Sequence, residues 1–268
     1  MVDASSVEFL RLKSYLDEIS DRVNSLDFIE WDPISIPHGF TRKQDIEISG
    51  FFSAILAWGN RKTIIMKSKE LMNMMDSAPF DFIRNHTEED KKVFLSFKHR
   101  TFQATDILYF VDFLQRHYTN QETLETAFYR DHSVPYDQES ALIHFHKYFF
   151  DNEFAPLRTR KHIASPAKNA TCKRLNMYLR WMVRNDDRKV DFGLWQTIPM
   201  SGLMMPLDVH VERYARKFNL ITRKQRDWQT VRELTDNLKQ FDAQDPVKYD
   251  YALFGLGVAT DDYSGAPF

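Results

Sequence analysis

The sequence predicts an all-α fold. Glycine is scarce, with 8 in 268 residues, and strand-like alternation between turn signals is hard to find. Apolar residues recur instead at helical spacing in segment after segment, joined by loops of roughly 2 to 8 residues. The 22 phenylalanines read mostly as core for many short helices, not for a long-helix bundle.

A first helix is expected around Val7, Leu10, Ile19 and Val23, with Leu12, Tyr15 and Leu16 widening its stripe. The Pro-rich stretch DPISIPHGF (32–40) cannot propagate it. Residues 43–58 read as a buried helix around Ile48, Phe51, Phe52, Ile55 and Leu56. Trp58-Gly59-Asn60 breaks that helix, and another runs from Arg61 to Met75. Further helices are expected at 79–85, 87–97, 105–118, 121–130 and 136–150, with Thr87, Thr105 or Asp106, and Asn120 as caps. After a basic loop come helices at 170–184, 191–198, 208–219, 225–241 and 246–256. No repeat at a fixed period and no low-complexity tract interrupts this order.

Composition removes several classes. One cysteine, Cys172, excludes an internal disulfide framework and any four-cysteine metal or iron–sulfur site. His144 and His146 stand two apart on a predicted helix and so on different faces; with no His-Glu-x-x-His string, neither a metal site nor a cofactor is expected. No glycine-rich phosphate loop occurs. The segment MVDASSVEFLRLKSYLDE lacks an apolar core of the signal-peptide kind, and no run approaches 18 apolar residues, so a soluble cytoplasmic protein without a membrane partner is expected.

The net charge of -2 hides a strong polarity. Arg158, Arg160, Lys161, Lys168, Lys173, Arg174, Arg180 and Arg184 follow one another with no acid between Phe154 and Arg184. Such clustering is the footprint of a phosphate-bearing partner, and binding to it should weaken steeply with salt. Lys173 opens the amphipathic KRLNMYLRWMVR, at the helix end whose dipole disfavours a cation. Alone it reads as a solvated or phosphate-contacting lysine. Asp208 opens a later helix, where a carboxylate is a favoured N-cap worth roughly 1 kcal/mol. The same backbone N–H groups keep such a carboxylate ionised, fit to stabilise a developing cation or to take a proton.

Taken together, these strings resemble the helix-hairpin-helix DNA glycosylase superfamily, the relatives of endonuclease III. In that family the second hairpin helix begins with a lysine and a catalytic aspartate later opens a helix reading D-x-H-x-x-R. Here LDVHVERYARKFNL places Asp208, His210 and Arg213 in that pattern. YDYALFGLG (249–257) is similar to the family's A-L-x-x-L-G helix, and EISGFFSAILAWGNRKTIIMKSKELM to its early helix pair. The Lys173-to-Asp208 separation of 35 residues, without cluster cysteines, is closest to the archaeal 8-oxoguanine glycosylase branch. CKRLNMYLRWMVR and PLDVHV also resemble an uncharacterised bacterial family of unknown function.

The resemblance implies a two-lobed, multi-helix glycosylase-like unit: one lobe at 43–200 carrying a hairpin at 160–184, the other formed by 1–42 with 201–268. It implies a base-excision DNA glycosylase with AP-lyase activity acting on an oxidised purine in duplex DNA, and a nucleoid-associated location. Lys173 would attack the sugar and Asp208 would assist. Arg158, Arg160, Lys161, Lys168 and Arg174 would hold phosphates, and Asn60 lies in the turn where relatives carry the residue that fills the gap left by a flipped base. The family's hairpin reads like L-P-G-V-G-R-K, whereas this chain has the glycine-free IASPAKNATCKR. That departure motivates an alternative, a non-catalytic DNA- or RNA-binding protein on the same scaffold. Trp181 and Trp195 read as core residues more readily than as base-stacking platforms, and Asp250 as either a pocket-facing or an exposed carboxylate.

Overall fold

A computed structural model describes residues 7–259. Within that range the chain is predominantly helical, and its strands are confined to one two-residue pair. It divides into two compact units: Asp32–Ser165, and the stretches that precede and follow it. The division differs from lobes at 43–200 and 1–42 with 201–268, because the basic stretch is cut at Ser165/Pro166. Residues 1–6 and 260–268 of those expected lobes lie outside the described residues.

Helix α1 is Val7–Val23 and α2 is Leu26–Glu30. The buried face of α1 is Phe9, Leu16, Ile19 and Val23, one stripe at helical spacing. Val7 and Leu10, expected on that face, are instead 64% and 53% exposed.

In the central unit, α3 (Lys43–Leu56) is buried continuously from Ile46 onward, and α4 (Arg61–Asn73) and α5 (Pro79–Asn85) follow. The helix expected at 87–97 is a 3-10 segment at Asp90–Ser96, entered through reciprocal Thr87–Asp90 hydrogen bonds. A hairpin that the periodicity does not announce comes next, with β1 (Lys98–His99) antiparallel to β2 (Phe102–Gln103). Then come α6 (Ala104–Asn120), the single-turn α7 (Glu125–Phe128), which is all that forms of the 121–130 helix, and α8 (Gln138–Phe149). Asp106 acts in the third position of α6, accepting the Gln103 backbone N–H. Phenylalanines fill the core: Phe51 lies 5.5 Å from Phe110 and 5.9 Å from Phe145, and Phe113 4.4 Å from Phe149. The buried Glu47 carboxylate is satisfied there by Tyr118 Oη, Thr123 Oγ1 and the Leu124 N–H.

The other unit continues with α9 (Lys173–Val183), α10 (Val209–Lys217), α11 (Trp228–Lys239) and α12 (Tyr249–Ala259). No helix forms at 191–198. The Phe192 and Trp195 N–H groups instead bond the Trp181 and Met182 carbonyls at the end of α9, at 2.8 and 2.9 Å. That segment therefore runs along α9 and buries Trp195 edge-on against Tyr178. Trp181 is likewise core. Helix α12 is apolar all round apart from Asp250, with α1 packed on one flank and α10 on another. A glycine serves each flank: a Cβ on Gly255 would fall 2.8 Å from a Val23 methyl, and one on Gly257 2.6 Å from the His210 Cβ.

Candidate active site

Helix α9 starts abruptly. Cys172 precedes it in the left-handed region at φ 53°, and the first helical residue is Lys173. The fully buried Asn176 then fastens this start to a distant segment. Its Nδ2 donates to Thr171 O at 3.1 Å and to Met205 O at 3.2 Å, joining the chain before α9 to the chain before α10. Met205 is itself held by α11, its N–H donating to Thr235 Oγ1 at 3.1 Å.

The two helix starts thereby meet. Lys173 Nζ lies 3.7 Å from Asp208 Oδ2, with side chains 24% and 20% exposed. The other oxygen of Asp208, Oδ1, accepts from the His210 and Val211 N–H groups at 2.9 and 3.0 Å. One carboxylate thus caps α10 with one oxygen and faces the lysine with the other. The capping and chemical readings of Asp208 are compatible. Met177, one turn along α9, places its Sδ 3.6 Å from Lys173 Nζ.

Asp250, in the first turn of α12, is buried. Burial pushes its carboxyl up to about 6; Arg180 opposes the shift, Asp208 and Asp191 reinforce it, and Lys173 also opposes it. Arg180 donates Nη1 to Asp250 and Nε to Asp191 Oδ1 at 3.3 Å. Arg184 continues the ladder, with Nε to Asp245 Oδ2 at 2.9 Å and Nη1 to Asp191 Oδ2 at 3.2 Å, and it pairs with Asp186 at 2.7 Å. Tyr251 donates its hydroxyl to Asp191 Oδ2 at 2.9 Å, and the Arg180 guanidinium sits 4.4 Å over its ring. Charge counting along the chain misses this arrangement. Two of the eight basic residues are inward-facing, met by carboxylates that follow in the sequence.

The remaining sequence-derived positions differ in availability. Lys161 and Lys168 are exposed. Arg160 is half-buried, 4.8 Å over the Phe150 ring. Arg174 is half-buried too, and desolvation lowers it to about 10, leaving it protonated at neutral pH. Arg158 is neutralised by the buried Asp106 and also donates to Thr101 O at 3.1 Å. Burial alone would raise Asp106, but bonds from His162, Thr159 and the Gln103 N–H hold it at about 2. Asn60 caps α4, accepting the Thr63 N–H at 3.2 Å. Lys168, Lys173, Arg174 and Asp208 belong to one compact unit, whereas Asn60, Arg158, Arg160 and Lys161 belong to the other.

The glycine-free stretch before α9 solves its backbone problem with asparagine. Asn169 adopts φ 55°, the left-handed conformation that asparagine tolerates better than most residues. Its carbonyl accepts the Trp228 N–H at 3.2 Å and its Nδ2 donates to Asp227 Oδ2, also at 3.2 Å, so the turn is fastened to the start of α11.

The model of a family described as proteins of unknown function, DUF2400, matches residues 32–259. The chain belongs to the DUF2400 family. No curated protein matches it, and no solved structure does. The DUF2400 match covers Lys173, Asp208, Asp250 and the whole Arg180–Arg184 ladder. Among the described residues no group of three or more His, Cys, Asp or Glu could hold a metal ion, and no helix is long and apolar enough to cross a membrane.

Proposed function

We propose that the chain is a base-excision DNA glycosylase with AP-lyase activity, acting on an oxidised purine in duplex DNA from a helix-hairpin-helix glycosylase-like scaffold. The observation that supports this reading best is the 3.7 Å approach of Lys173 Nζ to Asp208 Oδ2 at two helix starts, both side chains partly open to solvent. The reading places the protein in the cytoplasm, at the nucleoid.

In this mechanism the damaged base leaves the stack. Lys173 gives up a proton, for which Asp208 Oδ2 is the acceptor in reach, and neutral Nζ attacks the sugar C1′. The C1′–N bond breaks, its electron pair departs with the base, and the base takes up a proton. Opening of the sugar ring leaves an iminium between Nζ and C1′. Loss of a C2′ proton then expels the 3′ phosphate, and water hydrolyses the iminium to free the lysine. Asp208 offsets the positive charge of the iminium, while its Oδ1 bonds hold it in place.

Borohydride tests the assignment by reducing the iminium to a stable amine. Wild type should give a covalent complex with duplexes carrying an oxidised purine or an abasic site, and Lys173→Ala should not. Equal trapping by both would refute the nucleophile. Neither trapping nor scission across an oxidised-purine panel would refute the enzyme.

A second reading is favoured by the glycine-free stretch before α9, where the Asn169 amide is engaged by Asp227. It is a non-catalytic DNA- or RNA-binding protein. It requires salt-sensitive binding that survives Asp208→Asn, with no strand scission at any lesion.

A further inference from the structure

We propose that Arg100, at the tip of the β1–β2 hairpin, anchors a backbone phosphate of duplex DNA beside the Trp58–Gly59–Asn60 turn. The proposal rests on the nucleic-acid reading above and extends it to a residue well outside the basic stretch.

The tip is built into the Asp32–Ser165 unit at several points. His99 Nε2 is bonded to Leu56 O at 3.1 Å, which seats the hairpin on the end of α3. The Trp58 ring contacts His99 at 4.9 Å and His162 at 5.8 Å, and Phe102 contacts His162 at 4.9 Å. Arg158 reaches the same place from the basic stretch, donating to the carbonyl of Thr101, the residue after Arg100. The hairpin tip, the α3–α4 turn and the segment 157–162 therefore converge.

At that point Arg100 lies across Gly59. A Cβ on Gly59 would fall 2.4 Å from Arg100 Nη1, so the guanidinium occupies space that only glycine leaves. Both backbones are left-handed, Gly59 at φ 104° and Arg100 at φ 54°. Arg100 is nevertheless exposed, and its charge is not consumed. Asp106, the carboxylate at the base of the hairpin, is taken by Arg158, and among the described residues Arg100 has no ion-pair partner. The first turn of the adjoining α4 holds no acid, and it begins with Arg61 and Lys62.

These features select a phosphate. A guanidinium is a planar fork that matches phosphate oxygens, and one laid over a glycine has less rotamer freedom left to lose on binding. An exposed guanidinium at a hairpin tip suits a backbone contact, which positions a duplex without reading its bases.

The test is a salt titration of binding by the full-length chain to an undamaged, fluorescein-labelled 20-base-pair duplex. Arg100→Gln should lower the slope of log K against log salt by about 0.9, one phosphate contact, and weaken binding equally across duplex sequences. Arg100→Lys should restore most of the slope, since the charge returns without the fork. Because no lesion is involved, the titration is read whether or not Lys173 traps anything, so failure of the enzyme reading and failure of this contact are distinguishable. An Arg100→Gln slope equal to wild type overturns the contact. Failure of wild type to bind the duplex even at low salt overturns it as well. An acidic peptide displacing the duplex from wild type and Arg100→Gln alike would also count against it.

Discussion

Gly257 of α12 and His210 of α10 approach so closely that a single added methyl group would lie 3.0 Å from the His210 Cα and 2.6 Å from its Cβ. Backbone, not a flexible side-chain end, meets that methyl, so α10 must move to admit it. Asp208 caps α10 two residues before His210, and its distance to Lys173 depends on where that helix starts. Gly257→Ala should therefore destabilise the protein by about 1–3 kcal/mol, as overpacking does, measured by urea unfolding. It should also reduce borohydride trapping under conditions where the protein remains folded. Gly255→Ala, which meets only a Val23 side chain, should cost less.

Asp208 caps α10 and, in the proposed mechanism, also takes a proton; substitution separates the two. Asparagine caps a helix about as well as aspartate but has no charge, so Asp208→Asn should keep stability within about 0.5 kcal/mol of wild type. Asp208→Ala should lose roughly 1 kcal/mol with the cap. Both should lose trapping rate on an abasic duplex. If Asp208→Asn traps at the wild-type rate, the carboxylate charge has no part in the chemistry.

Two buried carboxyls give stability opposite dependences on pH. Asp106 is held down to about 2 from an ordinary 3.8, so its contribution is present above pH 4 and is lost as pH falls towards 2. Asp250 is raised from 3.8 to about 6, so the folded state binds its proton more tightly. Its contribution is full below pH 4 and is lost as pH rises through 6. Thermal unfolding from pH 2 to 7 should show that Asp250→Asn removes a downward slope between 4 and 6. Asp106→Asn should leave that slope in place and alter the acid limb.

The arginine ladder should be more sensitive to breaking than to removal as a whole. Arg180→Ala leaves Asp191 and Asp250 without one cation they share, at a cost of about 3–5 kcal/mol. Paired with Asp250→Asn, the loss should be smaller than the sum of the two single changes, because one uncompensated charge is gone. Urea unfolding of the four proteins measures the coupling directly.

The helices that sequence reading places best are α3, α4, α6 and α8, where apolar spacing agrees with packing, although α6 is capped by Gln103 and not by the expected Thr105 or Asp106, and α8 by Asp137. Its failures have physical causes. The segment 191–198 carries Phe192, Leu194 and Trp195 in a helical-looking order, yet its backbone bonds go to the carbonyls at the end of α9. The outer face of α1 holds Val7 and Leu10, so apolarity alone misplaces the stripe that α12 covers. Lys173 and Asp208 were legible as helix-opening residues in recognisable strings, and the structure brings them within 3.7 Å. Arg180 and Arg184 looked like their basic neighbours. Burial separates them, and burial depends on Asp245 and Asp250, more than 60 residues further along. Asn176 gave no signal either, because its partners are two backbone carbonyls 29 residues apart in its span to Met205 and five apart to Thr171.

That ladder also determines how Lys173 can move. The C-terminal half of α9 is clamped through Arg180 and Arg184 to Asp186, Asp191, Asp245 and Asp250, while Asn176 pins the N-terminal half. The helix has little freedom to rotate or slide, so Lys173 can adjust only through the torsions of its own side chain. In the proposed chemistry the lysine is a fixed post, and the work of alignment falls on the incoming molecule.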